Sequence, residues 1–264
     1  MKKSLASEFI YQIIALLIAI IIVHLIYVTV VRPNAEVHLQ EQAAQQAEGN
    51  YVTTRSPFVV IKDYEQETCF ILMFWAMAIM AMKAAKAVRE RNLLDEKLIN
   101  IAEGTSILPE DSRGFSRALQ ALPDIKRNSL LPRALLAGLQ RFGATKNIQD
   151  TASTVKEICE TEAERLDSEL SMIRYIAWAI PSIGFIGTVR GIGAALGQAH
   201  EAVQGDISGV TASLGVAFNS TFIALVISIL IMFLMYQLQL LQERLVLDSQ
   251  QYCDVNLMYN LQVR

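Results

Sequence analysis

The sequence has few of the residues and motifs on which enzymes and metal proteins depend. Its three cysteines, Cys69, Cys159 and Cys253, lie far apart and form no CxxC or Cys/His pattern, so neither a zinc site nor a disulfide framework is expected. The sequence has no HExxH motif, no GxSxG motif with triad candidates and no phosphate-binding loop. We therefore predict that the protein is not an enzyme and needs no metal or organic cofactor.

Charge is also scarce. Charged residues make up 19% of the chain, the net charge is −3, and there is no run of lysine or arginine, which argues against a nucleic-acid partner. Hydrophobic residues make up 53% of the chain, and the mean hydropathy is +0.33. This balance is typical of an integral membrane protein.

Four apolar runs are each long enough to cross a bilayer, for which about 20 residues suffice in a helix. Lys2 and Lys3 precede the first run, and a basic group that begins at Lys83 follows the second, so both flanks are predicted to be cytoplasmic. The second run is short, and we expect Lys83 to extend it by snorkelling to the interface. The fold class is therefore an all-α integral membrane protein with four transmembrane helices, long cytoplasmic helical extensions and both termini inside. The predicted spans are 1–31, 68–85, 173–198 and 210–236, the outer segments are the loop 32–67 and the turn 199–209, and the cytoplasmic parts are 86–172 and the tail 237–264.

The large cytoplasmic part is predicted to be helical. A helix is expected over residues 87–103, and a longer one begins after Asn147, where Thr154 and Glu157 have the spacing of a capping box. A coiled-coil-like seam then leads into the third span without a break. Its members are Cys159, Ala163, Leu166, Leu170 and Ile173.

Small residues form a stripe along each of the last two spans. At a period of 3.6 residues they share one helix face, and the spacings Gly187/Gly191 and Gly193/Gly197 add two GxxxG patterns. Small stripes let another helix approach closely, and helix packing alone is one interpretation of them. The stripe of the third span contains Pro181, Gly184, Thr188, Gly191 and Ala195, and that of the fourth contains Ser213, Ala217, Thr221, Ala224 and Ser228.

Two ionisable side chains within the spans, Arg190 and His24, are candidates for a function. Arg190 lies about 200° around the helix from Thr188 and is expected to pair with Glu201 or Asp206, although a role in screening cations or docking a partner is the alternative. His24 has no carboxylate beside it in the sequence, so we expect a neutral imidazole bonded to a neighbouring helix rather than a proton relay. The last two spans contain no Asp or Glu in their apolar cores, so a titratable carrier must come from elsewhere.

The string PSIGFIGTVRGI, residues 181–192, is followed one hairpin later by AFNST, residues 217–221. Together they resemble the last two transmembrane helices of the MotA/TolQ/ExbB proton-channel family, over about a quarter of the chain. Members of that family often carry a glutamate five residues before the second threonine, where this sequence has Val216.

The resemblance implies a homopentamer in the bacterial inner membrane, around a dimer of a MotB/TolR/ExbD-type protein. The single span of that partner carries an aspartate, and H⁺ or Na⁺ passes between this aspartate and the threonines of the pentamer. Thr188 and Thr221 match those threonines, and Ser228 follows on the same face. The other residues of the two stripes would then line the pore and pack against the partner.

Three functions are compatible with these features. The first is an ion-driven motor or energy-transducing channel subunit that moves a partner protein. The second is a membrane scaffold whose glycines serve only for packing. The third is a secondary transporter, but the sequence shows neither the repeated halves nor the broken helices expected of that class.

Overall fold

The computed structural model describes residues 2–47, 56–99 and 106–263 of the 264-residue chain. Apart from an isolated parallel bridge between Ile107 and Leu261, the regular structure of these residues is helical, as predicted. The helices are α1 (Lys2–Ile26), α2 (Arg32–Ala47), α3 (Pro57–Ile61), α4 (Tyr64–Arg91), α5 (Ser112–Gln120), α6 (Asp124–Arg127), α7 (Leu130–Thr145), α8 (Ile148–Glu169), α9 (Ser171–Gly197), α10 (Ala199–Val203) and α11 (Ser208–Asn256).

Within the described residues, four helical stretches are long and apolar enough to cross a membrane, the number predicted from the sequence. Where each stretch enters and leaves the bilayer stays a prediction. The stretches are Ser7–Gln42, Tyr64–Asp95, Ile148–Gly197 and Ser208–Asn260.

The chain forms two compact units. The first unit contains Met1–Met80 and Met172–Met235, and the second contains Ala81–Ser171 and Tyr236–Arg264. The candidate functional site lies entirely in the first unit.

A long helical run in the first unit passes through a proline. The helix does not end at residue 31, because a π-helical turn, Tyr27–Val31, joins α1 to α2. Pro33 has no N–H, and its ring would crowd the carbonyl four residues earlier in a regular α-helix. The wider π turn directly precedes this point, so the irregularity is absorbed within a continuous helix.

Helix α1 packs antiparallel to α4. Near the start of α1, the Trp75 indole Nε1 donates to the carbonyl of Gln12 at 2.9 Å. Near its end, the Tyr27 ring meets the Phe70 ring at a centroid distance of 6.4 Å. This pairing brings the first turn of α4, residues 64–67, beside the end of α1 and the start of α2.

The second unit has a conventional apolar core. Phe142, Leu135 and Leu139 from α7 are fully buried, and side chains from α5, α8 and the C-terminal end of α11 pack around them. At the close of the chain, the amide of Ile107 donates to the carbonyl of Asn260 at 2.7 Å. The C-terminal residues are therefore part of this core.

The helix predicted over residues 87–103 is wrong in its extent. After α4 the chain makes a 3₁₀ turn, Asn92–Asp95, and the backbone becomes extended at Glu96. The Tyr252 hydroxyl donates to the carbonyl of Glu96 and accepts from the amide of Leu98, both at 3.2 Å. A side chain from α11 thus satisfies backbone groups that a continuing helix would have paired internally.

Helix α8 begins after Asn147, as predicted, but its N-cap is Asn147 and not the predicted capping box. The Asn147 side chain accepts hydrogen bonds from the amides of Gln149 at 2.8 Å and Asp150 at 3.4 Å, which is the geometry of an N-cap. Thr154 lies in the second turn, where its hydroxyl donates to the carbonyl of Asp150 at 2.9 Å. The Thr154/Glu157 capping box was therefore wrong.

The predicted seam of α8 is correct at four of its five positions. Ala163 is exposed, and Glu162 takes the buried position with an exposed fraction of 4%. Two arginines, Arg133 at 3.2 Å and Arg165 at 2.6 Å, pair with its carboxylate and make that burial tolerable. The seam is also interrupted, because α8 ends at Glu169 and α9 starts after Leu170. The buried members are Cys159, Leu166, Leu170 and Ile173.

The sequence had suggested that Lys83 snorkels to the membrane interface, but the structure contradicts this prediction. Its side chain is 5% exposed, and its Nζ lies 2.8 Å from Oε2 of Glu169 at the end of α8. The ammonium group therefore belongs to a buried ion pair within the second unit, and α4 gains no extra span length from it.

Candidate functional site

The small-residue faces of α9 and α11 pack against each other. A Cβ atom placed on Gly187 would lie 2.5 Å from the Cβ of Ser220, and one on Gly191 would lie 2.8 Å from the backbone nitrogen of Ala217. Neither distance leaves room for a side chain. The absence of a Cβ is therefore what lets the two helices approach this closely, as in other helix pairs in lipid.

The other predicted glycine pair does not take part in this packing. A Cβ placed on Gly193 or Gly197 would meet no other atom within 4 Å. Of the two GxxxG pairs of α9, Gly187 and Gly191 therefore contact α11. Gly193 and Gly197 face open space.

Thr188 and Thr221 meet at the centre of the α9–α11 contact. Their hydroxyls are hydrogen bonded to each other. The Thr188 hydroxyl also lies 3.1 Å from the carbonyl oxygen of Ala217, and the Thr221 hydroxyl lies 3.1 Å from that of Gly184. Four neutral oxygen atoms therefore converge in a half-buried position, which is the kind of ligand that hard cations prefer.

The remaining stripe residues lie along the same helix contact. The Ser228 hydroxyl donates to the carbonyl of Ala177 at 3.1 Å, and the Ser213 hydroxyl donates to Oε1 of Gln198 at 3.1 Å. Both serines are therefore engaged in packing within the chain. Pro181 is half-buried inside α9, and the buried members are Gly184, Gly191, Ala195, Ala217 and Ala224.

Helix α4 is a third component of this region, and the sequence did not predict it. The Gln66 side chain is fully buried, and its Nε2 lies 3.4 Å from the Ser220 hydroxyl, next to Thr221. A Cβ placed on Gly187 would lie 3.2 Å from Cγ of Glu65. The first turn of α4 therefore brings an amide and a carboxylate against the α9–α11 contact.

Arg190 pairs with Glu65, and the predicted pairing with Glu201 or Asp206 is wrong. Its Nε lies 2.6 Å from Oε1 of Glu65, and its Nη2 lies 2.8 Å from Oε2. Two parallel bonds of this kind give a charge-assisted pair with a fixed geometry. The carboxylate of Asp206 instead accepts hydrogen bonds from the Ser208 hydroxyl and amide, which lower the pKa of Asp206.

His24 is bonded to a neighbouring helix, as expected, but its partner on α4 is a carboxylate, which the sequence did not indicate. Its Nδ1 lies 2.7 Å from Oε1 of Glu67, whose other oxygen lies 2.5 Å from Nη2 of Arg32. The Glu67 side chain is 8% exposed, and the Arg32 guanidinium lies 4.5 Å from the Tyr64 ring centroid. The start of α4 therefore carries two paired carboxylates, one held by α9 and one by α1 and α2.

Taken together, four apolar helices with close glycine packing and paired charges near their ends define a helical, multi-pass membrane protein. Residues 126–251 match the MotA/TolQ/ExbB proton channel family, and this part of the chain is a domain of that family. The resemblance seen in the sequence is thereby confirmed. No curated protein and no solved structure matches the chain.

The family match has limits that matter for the site. It includes the whole of α7, α8 and α9, together with Thr188, Thr221 and Arg190. It does not include α1 or α4, and so it leaves out Glu65, Gln66 and Glu67. A domain of this family implies an energy-transducing proton-channel function, in which those α4 residues have no assigned part.

Proposed function

We propose that this chain is the ion-conducting subunit of a membrane motor that converts ion flow into movement of a partner protein. The observation that carries the proposal is the meeting of Thr188 and Thr221 across α9 and α11, within the segment that matches the family. The converging hydroxyl and carbonyl oxygens provide ligands for a passing H⁺ or Na⁺.

The assembly in this proposal is a homopentamer around a dimer of a single-span protein of MotB/TolR/ExbD type. The threonine hydroxyls do not titrate near neutral pH, so the aspartate in the partner's span supplies the group that carries the ion past them. The threonine pair, by contrast, supplies neutral oxygen ligands that hold and release a cation. The small residues of the two stripes let α9 and α11 pack closely enough to bring the two threonines together.

The proposed location is the bacterial inner membrane, with both termini in the cytoplasm. This orientation follows from Lys2 and Lys3 before the first span and from the basic residues at the end of α4. The electrical driving force is about 2.3 kcal/mol per charge per 100 mV, so each mechanical step of substantial work requires several ions.

A test is the removal of one hydroxyl at constant shape. Thr221→Val and Thr188→Val should each lower ion flux about tenfold or more, because each removes one of the converging oxygen ligands. The complex is purified from its native membrane through a tag on this chain and reconstituted in liposomes. Proton flux is read with an internal pH dye, and sodium flux is read with ²²Na⁺.

The matched control is Thr211→Val, since Thr211 is exposed and its hydroxyl bonds only carbonyls of its own helix region. Native mass spectrometry of each variant should still give five copies of this chain with two copies of the partner. Monomeric material, or unchanged flux in both threonine variants, would contradict the proposal.

A membrane scaffold is the second candidate, and one observation favours it. The small faces of α9 and α11 pack against each other within a single chain, so packing alone gives these residues a use. A scaffold predicts that Thr221→Val leaves function intact, whereas the motor predicts loss of flux with the assembly preserved.

A further inference from the structure

The first turn of α4 lies outside the family match, and it brings a carboxylate against α9 near the position of Thr188 in the chain. Glu65 is 11% exposed at its side chain and reaches Gly187, one residue before Thr188. Its partner Arg190 follows Thr188 by two residues and is 51% exposed. In the proposed orientation, α4 starts at the outer surface, so Glu65 lies on the side from which a cation enters.

A second observation concerns the next residue of the same helical turn. Gln66 is fully buried, and its amide oxygen has no hydrogen-bond partner among the residues that the structure describes, although its amide nitrogen contacts Ser220 and the carbonyl of Val60. Buried amide oxygens are normally hydrogen bonded. A cation bound at the first turn of α4 would offer this oxygen such a partner.

We propose that Glu65 is the outer cation-binding carboxylate of the pathway and that Arg190 occupies it whenever no H⁺ or Na⁺ is bound there. This inference rests on the proposed function and adds to it a binding group from α4. The chain itself then supplies a titratable group, in addition to the aspartate expected from the partner.

The chemistry of the pair supports an exchange of this kind. A guanidinium does not lose its proton in proteins, so Arg190 releases Glu65 only when another cation neutralises the carboxylate. Half of the Arg190 side chain is exposed, which leaves room for it to move away. The other charged groups near Glu65 are Lys62 and Asp63 directly before α4, and the Glu67 carboxylate that Arg32 and His24 already hold.

The test compares both single variants with the double variant in the reconstituted complex described above. Glu65→Gln should lower flux about tenfold or more, because it removes the carboxylate. Arg190→Gln should retain flux, and the cation concentration for half-maximal flux should fall about tenfold because the competing cation is gone. The double variant Glu65→Gln/Arg190→Gln should be as inactive as Glu65→Gln.

A purely structural ion pair gives a different pattern. Both single variants would then lose flux alike, and the neutral double variant, in which two amides replace the pair, would recover it. That result would overturn the inference. Glu65→Asp should restore part of the flux, while Asp206→Asn, which changes an exposed outer carboxylate, should behave like the unmodified protein.

The same measurements separate this inference from the proposed function. If the threonine variants abolish flux but Glu65→Gln does not, the inference on Glu65 is wrong and the motor remains. If neither the threonine variants nor Glu65→Gln change flux, the proposed function fails, and the inference fails with it.

Discussion

The two units of this chain differ in how many large apolar side chains they leave exposed, and the first unit exposes most of them. In the first unit, Gln66 and Ser220 are buried, while Phe185 and Phe218 are exposed by 65% and 67%. In the second unit, most large apolar side chains pack into one core, in which Phe142 has an exposed fraction of 0%. The difference indicates that the first unit is surrounded by lipid and the second by water. Burial of apolar groups is favourable in water, but lipid provides no comparable driving force.

The stability of the two units should therefore depend on different residues. In the second unit, we expect volume in the apolar core to dominate the free energy of unfolding. In the first unit, we expect close helix contact and satisfied polar groups to dominate it. Three substitutions, each with a matched control, test this contrast.

The largest effect should come from Phe142→Ala. Removing a fully buried ring leaves a cavity and should lower the free energy of unfolding by about 3–5 kcal/mol. Hydrogen exchange of the α7 backbone, read by mass spectrometry, measures this loss locally. The control Phe185→Ala removes an exposed ring from α9 and should change exchange there by less than about 0.5 kcal/mol. Equal losses at the two sites would remove the distinction between the units.

The next effect should come from Gly191→Val. The new side chain meets the backbone of α11, with Ser213 O at 2.8 Å from its Cβ position, so overpacking should cost about 1–3 kcal/mol. The thermal midpoint of the purified protein, followed by the fluorescence of Trp75 and Trp178, should fall accordingly. Gly193→Val makes the same chemical change at a position facing open space, and its midpoint should stay near that of the unmodified protein. A similar fall in both variants would show that close packing with α11 is not what Gly191 provides.

The smallest effect should come from Asn147→Ala. Loss of the N-cap should destabilise α8 by about 1 kcal/mol, seen as faster hydrogen exchange in its first turn. Thr154→Ala should change this exchange by less than about 0.5 kcal/mol, because its hydroxyl bonds a carbonyl within the helix and caps nothing. A larger effect at Thr154 than at Asn147 would show that the Thr154/Glu157 capping box, and not Asn147, stabilises the start of α8.

Helix periodicity was enough to predict the faces of α9 and α11. Gly184, Gly191, Ala217 and Ala224 were assigned to two stripes, and all four are buried where those stripes meet. Thr188 and Thr221 are brought into contact as a result. Periodicity succeeds here because one residue type, small and apolar, repeats along a helix whose ends are set by the hairpin.

Partners that lie far apart in the sequence could not be predicted in this way. Arg190 was assigned to nearby Glu201 or Asp206, but its partner Glu65 lies 125 positions away. His24 likewise pairs with Glu67, 43 positions away. Periodicity identifies the face on which a charge lies and leaves open which helix docks there. The available signal was energetic, because a charge within a span needs a partner and the start of α4 offered two carboxylates.

The second unit illustrates the same limit with local signals. Thr154 and Glu157 have a valid capping spacing, yet Asn147 is in place seven positions earlier and takes the role. The buried seam position predicted for Ala163 is taken by Glu162, because Arg133 from α7 pairs with the Glu162 carboxylate. In both cases a local pattern was present, and a tertiary contact decided against it.

The pairing of Arg190 with Glu65 has a practical consequence for expression of the protein. A fragment trimmed to residues 126–251 would keep the arginine and lose the helix that neutralises it. Its guanidinium would then face hydrocarbon without a counter-ion, which is costly for insertion. We therefore expect residues 126–251 alone to insert and fold less readily than the full chain, because the helix that pairs with Arg190 lies outside the family match.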